Sequence, residues 1–405
     1  MINAQDKENI KLTWINFLHF YQPVNADAHI IREATEKSYM RIIRGLEENP
    51  RVKFTLNING SLFIRWKELG YQDFIARIGR LIKAGRLELT GTACYHPIIP
   101  LIPVAEAERQ IRENENILRE HFGSDFKPRG FFFPEMAYSQ KAAQLVRRLG
   151  YEWVVLDELA VSGRLGKTDC SLVYLDKASG LKIVVRHRRL SNSYVPETIT
   201  KIMGGDKRIA DALNPDLVVT ATDGELYGLR YIDHTANFEK LLKNKNIATE
   251  TFSEFIAEGP DVKKISPPPH SWETSEQELE KKEPFNLWQE KNNTVHKKLW
   301  SLAILAQETA EKFKDDKNAY WVRWHLVRGL ASCTFWWASA KDFRLFSPLS
   351  WSPDEIERGT NELIRSVRAV EDEASRETKV RAEKLTIAIK KMIWERHWIY
   401  YWKKT

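Results

Sequence analysis

Glu135 closes the run Arg129-Gly130-Phe131-Phe132-Phe133-Pro134-Glu135, and Asp223 closes Leu217-Val218-Val219-Thr220-Ala221-Thr222-Asp223. A carboxylate delivered to the edge of an apolar segment costs free energy unless it is paired, hydrogen-bonded or protonated, so its position there asks for a reason. Two such groups facing one cleft can divide nucleophilic and proton-transfer work between them. They are the minimum equipment for cleaving an acetal, as in glycoside hydrolysis. One attacks the anomeric carbon while ionised, and the other, kept protonated, gives its proton to the leaving oxygen. Other polar side chains follow apolar runs in the same way: His19, Asn57, Asn59, Tyr95, His96, Asp157, Glu158, Arg188 and Glu225. Together they outline one polar pocket.

Competing chemistries are less well provided for. The ten histidines show no HxH, HxxH, HxxxH or HExxH spacing, so no local pair of metal ligands exists. His19, His96, Asp157 and Asp223 converging in space would be the metal alternative, as in a metal-dependent polysaccharide deacetylase. There is no GxSxG elbow, Walker loop or glycine-rich dinucleotide fingerprint. Cys94 precedes Tyr95-His96, but neighbours on a strand point to opposite faces, and a buried structural thiol is expected.

The elements that must position these residues alternate regularly. Strands are expected at Leu12–Phe20, Val52–Asn59, Leu87–Ala93, Gly130–Pro134, Trp153–Leu156, Lys182–Arg186 and Asp216–Ala221. Helical patterns lie between them at Tyr39–Glu48, Phe74–Ala84, Ala105–His121 and Gln140–Leu149, three of them followed by Gly85, Gly123 and Gly150. Such alternation implies parallel strands with crossover helices, and strand ends are where barrels of this kind keep their chemistry. Seven strands favour a barrel or near-barrel; a doubly wound sheet is the second arrangement. Ser266-Pro267-Pro268-Pro269-His270 breaks the pattern, and the chain reads as helical from Leu287. The expected organisation is a barrel over 1–265 and a mainly α-helical region over 266–405. The i, i+4, i+7 stripe Trp394, Trp398 and Tyr401, with Lys390, Lys391, Lys403 and Lys404 around it, could suit a membrane surface or a partner helix, but is expected to pack against the barrel instead.

Composition excludes some classes of function. The 62 basic and 55 acidic residues leave only +7 over 405 positions, with no long basic tract, so nucleic acid is not an expected partner. Three widely spaced cysteines form neither a zinc pattern nor a disulfide framework, and no segment is apolar enough to span a membrane. The polar start, Met1 to Leu12, does not resemble a signal peptide. The expected setting is cytoplasmic, without membrane association. The 14 Trp, 13 Tyr and 18 Phe mostly build core, but an excess of Trp also suits stacking on sugar rings.

With these residues in view, the chain resembles glycoside hydrolase family 57, the retaining α-glucan-active enzymes with an incomplete (β/α)7 barrel. Leu18-His19-Phe20-Tyr21-Gln22-Pro23 looks like that family's first motif and Gly91-Thr92-Ala93-Cys94-Tyr95-His96-Pro97 like its second. Phe133-Pro134-Glu135-Met136-Ala137-Tyr138 is similar to the third and Asp223-Gly224-Glu225-Leu226-Tyr227-Gly228 to the fourth. Ala331-Ser332-Cys333-Thr334-Phe335-Trp336-Trp337 resembles the fifth, on a helix that closes the cleft with aromatics. Ser271-Trp272-Glu273 and Asn286-Leu287-Trp288 look like segments between the last two. The resemblance implies that Glu135 is the nucleophile and Asp223 the general acid/base. It implies that His19, Gln22 and His96 contact the reacting sugar, and that Trp272, Trp336 and Trp337 offer stacking surfaces. Asp157 and Arg188 would hold hydroxyls or orient a carboxylate, and Glu225 belongs to the same substrate-facing set. The implied reactions are amylase-like hydrolysis, 4-α-glucan transfer or branching, on an oligo- or polysaccharide and with no metal or organic cofactor. Tyr21 replaces the second His of the first motif and Cys333 a small or acidic residue of the fifth. A glucan-binding protein with a degenerate site is therefore the non-enzymatic alternative.

Overall fold

The computed structural model describes residues 12–206, 216–259, 263–343 and 348–404. The polar start of the chain, residues 1–11, lies outside them. Two compact units are formed: Met1–Gln22, Ala26–Cys94 and Pro103–Trp272 make the first, and Pro23–Asn25, Tyr95–Ile102 and Glu273–Thr405 the second.

Among the described residues the first unit has ten strands: β1 (Leu12–Phe20), β2 (Phe54–Ile58), β3 (Leu87–Thr90), β4 (Gly130–Phe131), β5 (Trp153–Asp157), β6 (Val173–Asp176), β7 (Lys182–Arg186), β8 (Leu217–Asp223), β9 (Ile247–Glu250) and β10 (Lys263–Ile265). β1 is buried at every position but one, the mark of a parallel strand covered on both faces. One sheet runs β3-β2-β1-β8 with β9 also on β1, and the other runs β10-β6-β7-β5-β4. The two meet at both seams. Gly91 bridges Phe131 between β3 and β4, and the His187 N–H donates to the Val219 carbonyl between β7 and β8 at 3.0 Å. Strands β1, β2, β3, β4, β5, β7 and β8 thus follow one another around an incomplete seven-stranded barrel. These are the seven strands expected from the apolar runs.

The β3–β4 seam depends on glycine. A Cβ on Gly130 would lie 2.1 Å from the Trp153 ring, and one on Gly91 would lie 2.2 Å from the Tyr151 hydroxyl. The two backbones can therefore exchange hydrogen bonds of 2.9 Å only because neither residue carries a side chain. Inside the barrel, Phe17, Phe132, Trp153, Val219, Phe252 and Trp272 belong to one buried cluster. Three strands were not expected. β6 is a short antiparallel partner of β7, β10 extends β6, and β9 lies on the first half of β1.

The second unit is helical. Its long members are Thr294–Lys312, Ala319–Gly329, Pro353–Ala369 and Arg376–Arg396. Asn293 caps the first through Val295 and His296, and Ser352 caps the third through the Glu355 N–H at 3.3 Å. His296 is buried between two backbone groups. Its Nδ1 accepts from the Glu290 N–H at 3.0 Å and its Nε2–H donates to the Phe335 carbonyl at 2.9 Å, an arrangement that requires the neutral ring. Burial accordingly holds its pKa down to about 4.

The Trp394, Trp398 and Tyr401 stripe does not form a buried face as expected. The helix widens into a π turn at His397–Tyr401, and the residues beyond it rotate relative to an α-helical register. Tyr401 turns onto Trp351 of the same unit at 4.5 Å, whereas Trp398 stays 60% exposed. Among the described residues no helix is long and apolar enough to cross a membrane.

Candidate active site

Glu135 follows β4 in a 3-10 turn, Pro134–Met136, and stands at φ 60°, ψ 19°. Met136 beside it is also left-handed at φ 49°. Two consecutive non-glycine residues in this region are costly, and such strain gathers where a side chain must be aimed. The turn is held by Met136 N–H to the Phe133 carbonyl and Ala137 N–H to the Pro134 carbonyl, and it is pinned from outside by Trp272. The Trp272 backbone N–H donates to the Glu135 carbonyl at 3.1 Å, and its indole Nε1–H donates to Glu135 Oε2 at 2.9 Å. Trp272 is only 7% exposed, so its main contact is with this carboxylate and the aromatic cluster beneath it.

Trp272 is itself held from β7. Arg186 donates through one terminal nitrogen to the Trp272 carbonyl at 3.1 Å and through the other to the Ala221 carbonyl of β8 at 3.0 Å. Its guanidinium lies 5.3 Å from the Trp272 ring centre. Its Nε donates to Asp157 Oδ2 at 2.9 Å, and Arg188 grips the same carboxylate through Nε and a terminal nitrogen at 2.9 and 2.6 Å. Burial alone would push the Asp157 carboxyl up. The charges of Arg186 and Arg188 together outweigh that and hold it below the usual range. Asp157 and Arg188, read from the sequence as substrate contacts, are thus knitted into the frame behind Trp272. Arg186 was not anticipated. Its signal was nonetheless present, since Arg186 and Arg188 share one face of a chain leaving β7 beside Asp157 at the end of β5.

Asp223 ends β8, and the strand register places it directly opposite His19 of β1. His19 in turn packs on Phe132 at 4.7 Å and edge-on to Trp272 at 6.1 Å. One imidazole therefore stands between the residue that carries Asp223 and the indole that holds Glu135. Its Nδ1–H donates to Asn57 Oδ1 at 2.9 Å, and the Asn57 amide continues to Thr90 at 3.1 Å, so the relay fixes the tautomer. Burial drives the His19 pKa down to about 3 despite the Asn57 hydrogen bond, which leaves a neutral ring with Nε2 as an acceptor.

Glu225, two residues beyond Asp223, is buried and accepts from the Gln22 side-chain amide at 3.1 Å and from the Tyr39 hydroxyl. Burial raises its pKa, against the opposing influence of the Arg230 charge and of these two donors. The Tyr39 hydroxyl also reaches the Tyr21 carbonyl at 3.1 Å, so Glu225 and Tyr39 together position the backbone and side chain of the Tyr21-Gln22 turn. Tyr39 carried no sequence signal, because it lies within an amphipathic helical pattern.

His96, Trp336 and Trp337 lie in the second unit. His96 is left-handed at φ 58°, and its Nδ1 lies 2.9 Å from Ser332 Oγ. Its carbonyl accepts from the Ser332 N–H at 2.9 Å, which ties the second motif to the fifth. Trp336 and Trp337 are half-buried and meet edge to face at 4.5 Å. Among the described residues no three His, Cys, Asp or Glu side chains converge as a metal site would require.

A seven-stranded parallel barrel with Glu135, Asp157 and Asp223 at one set of strand ends is the architecture of a barrel enzyme. The comparisons give it a family. Residues 4–267 match the model of glycosyl hydrolase family 57, and the chain belongs to that family. An alpha-amylase of Pyrococcus horikoshii is 31% identical over 175 residues, which is 42% of this chain and 27% of that protein. A 4-alpha-glucanotransferase of Thermococcus litoralis is 28% identical over 176 residues, 43% of this chain and 26% of that one. The chain thus spans about a quarter of the length of these curated relatives. Among solved structures, the 4-alpha-glucanotransferase of Thermococcus litoralis superposes with a TM-score of 0.69 at 18% identity, covering 90% of this chain and 61% of its own. The GH57-type branching enzyme of Pyrococcus horikoshii gives 0.68 at 14% identity, covering 93% and 95%. These likenesses establish the fold.

Proposed function

We propose that this protein is a retaining glycoside hydrolase or transglycosylase acting on α-linked glucans or oligosaccharides, of the amylase-like, 4-α-glucanotransferase or branching kind. The observation that carries the reading is Glu135. Its carboxylate leaves a strained left-handed turn, is held by the Trp272 indole, and is linked through His19 to the strand end that presents Asp223. Glu135 attacks the anomeric carbon as the bond to the leaving oxygen breaks, and Asp223 gives that oxygen its proton. The product is a covalent glycosyl-enzyme. Asp223, now ionised, takes the proton from water or from an acceptor hydroxyl. That oxygen then attacks the anomeric carbon and frees Glu135. Neutral His19 accepts a hydrogen bond from a sugar hydroxyl through Nε2, and Gln22, braced by Glu225, contacts the same sugar. His96, Trp336 and Trp337 enter this reading through the resemblance of their motifs.

The test pairs two variants on maltooligosaccharides and an activated aryl α-glucoside. Glu135→Gln abolishes turnover on both while the protein stays folded. Asp223→Ala loses far more activity on the maltooligosaccharide than on the aryl glucoside, whose leaving group needs no proton. Substantial residual turnover by Glu135→Gln, or equal losses on both substrates for Asp223→Ala, would remove these residues from their roles. Product analysis that separates hydrolysis, disproportionation and branching assigns the subtype.

A further inference from the structure

The positive charge of the chain is concentrated at one place. Residues 376–404 hold nine Lys and Arg against three Glu, a net +6, while the whole chain nets +7. This segment is the helix Arg376–Arg396 and the π turn that continues it. Its inner face is satisfied, with Ile389 and Ile393 fully buried, Tyr401 on Trp351, and the Trp394 Nε1–H near Glu357 at 3.3 Å. Its outer face is not covered. Ile387, Trp398, Ile399, Tyr400 and Trp402 are 65, 60, 66, 65 and 51% exposed. The indoles of Trp394, Trp398 and Trp402 stand in a column, with ring centres 6.4 and 6.2 Å apart. Lys403 lies 5.5 Å from the Trp402 ring, and Lys391 flanks the column beside Glu395.

We propose that this face is a peripheral docking surface for an anionic lipid bilayer. Both halves of the patch match that partner. Exposed Trp and Tyr favour the headgroup level, where their rings are apolar and their N–H and O–H groups remain hydrated, and lysines beside them meet negative headgroups. A neutral polysaccharide would leave the charge without a purpose. A second copy of this chain would set one lysine-flanked face against another. The helix lies in the interface plane and does not span the membrane. This departs from the sequence-based expectation of no membrane association, which weighed the stripe as a buried face.

Vesicle co-sedimentation of the intact protein tests this, using phosphatidylcholine alone and phosphatidylcholine containing phosphatidylserine. The protein partitions onto the anionic vesicles with a blue shift of tryptophan emission, and far less onto the neutral ones. Trp398→Ala with Trp402→Ala lowers partitioning by about tenfold or more, and Lys403→Glu with Lys404→Glu does the same. Both double variants keep the parent melting profile and turnover of soluble oligosaccharide. Ile399→Ser with Tyr400→Ser gives the same loss by an independent route. Failure to bind anionic vesicles at low salt overturns the proposal. So does binding that survives both apolar double substitutions and is lost only on charge reversal, since that is contact with any polyanion. A self-associated species that Trp398→Ala with Trp402→Ala dissociates would assign the face to a second copy instead.

Discussion

Replacing Trp272 with Phe isolates one atom group at the site. The ring that packs on Phe132 and His19 is largely preserved, and the backbone contacts of Trp272 with Glu135 and Arg186 are untouched. What disappears is the 2.9 Å hydrogen bond from the indole to Glu135 Oε2. A hydrogen bond to a charged acceptor contributes about 1.5–3 kcal/mol. If Glu135 reacts as a carboxylate, that loss has two readings. The ionised form is stabilised less, so protonation of the free carboxylate becomes easier. Glu135 is also released less readily as a carboxylate from the glycosyl-enzyme, which slows the second step. The assay is the pH dependence of kcat/KM on a maltooligosaccharide, with single-turnover measurement of the covalent intermediate. The acid limb of the profile moves to higher pH and the intermediate accumulates. An unmoved acid limb with kcat/KM within about twofold of the parent refutes the argument. A uniform fall without a shifted limb assigns Trp272 to packing alone.

Further outcomes concern stability. Arg186→Met leaves the fully buried Asp157 with Arg188 as its remaining charged partner of the pair, and removing one member of a buried pair costs about 3 kcal/mol. The urea midpoint of unfolding reads this, and a loss under about 1 kcal/mol would show the brace to be incidental. For pH, His19 and His296 have folded pKa values near 3 and 4 against 6.5 for the exposed ring. The unfolded chain therefore binds protons first, and stability falls as pH drops below 6.5. The loss is about 2 kcal/mol per histidine at pH 5 and stops growing only at the folded values. Melts at pH 7 and pH 5 give the slope. An imidazole signal from His296 that titrates near 6.5 in the native protein would contradict the assignment.

The barrel was legible because its strands are buried on both faces, so β5 and β7 carry unbroken apolar runs that end in a polar residue, and β1 is a long apolar run interrupted only by Thr13, Asn16 and His19. The same pattern marked Glu135, Asp157 and Asp223. What the pattern could not convey was direction. Asp157 faces Arg186 across the β5–β7 register and also holds Arg188, pairings that the separate runs do not specify. β6 and β10 escaped because a three- or four-residue strand has too few positions to show a period. Two short segments of the helical unit are also silent in the sequence. Pro23–Asn25 and Tyr95–Ile102 group with the helical unit through long-range contacts, which leave no local trace. The aromatic stripe near Trp398 was misplaced because an α-helical period was carried through a π turn.

The left-handed turn at Glu135 and Met136 has a consequence for durability. Each residue gives up on the order of 1–2 kcal/mol to its backbone conformation. Glycine in place of Glu135 would relieve much of its share but would also forfeit the Trp272 hydrogen bond of about 1.5–3 kcal/mol, so the two changes oppose each other and Glu135→Gly should melt no later than its parent. Thermal endurance at this turn therefore hangs on the Trp272 contact, which offsets the backbone strain it accompanies. In the proposed reading, the nucleophile's position is thus one where a strained backbone and a hydrogen-bonded carboxylate balance each other.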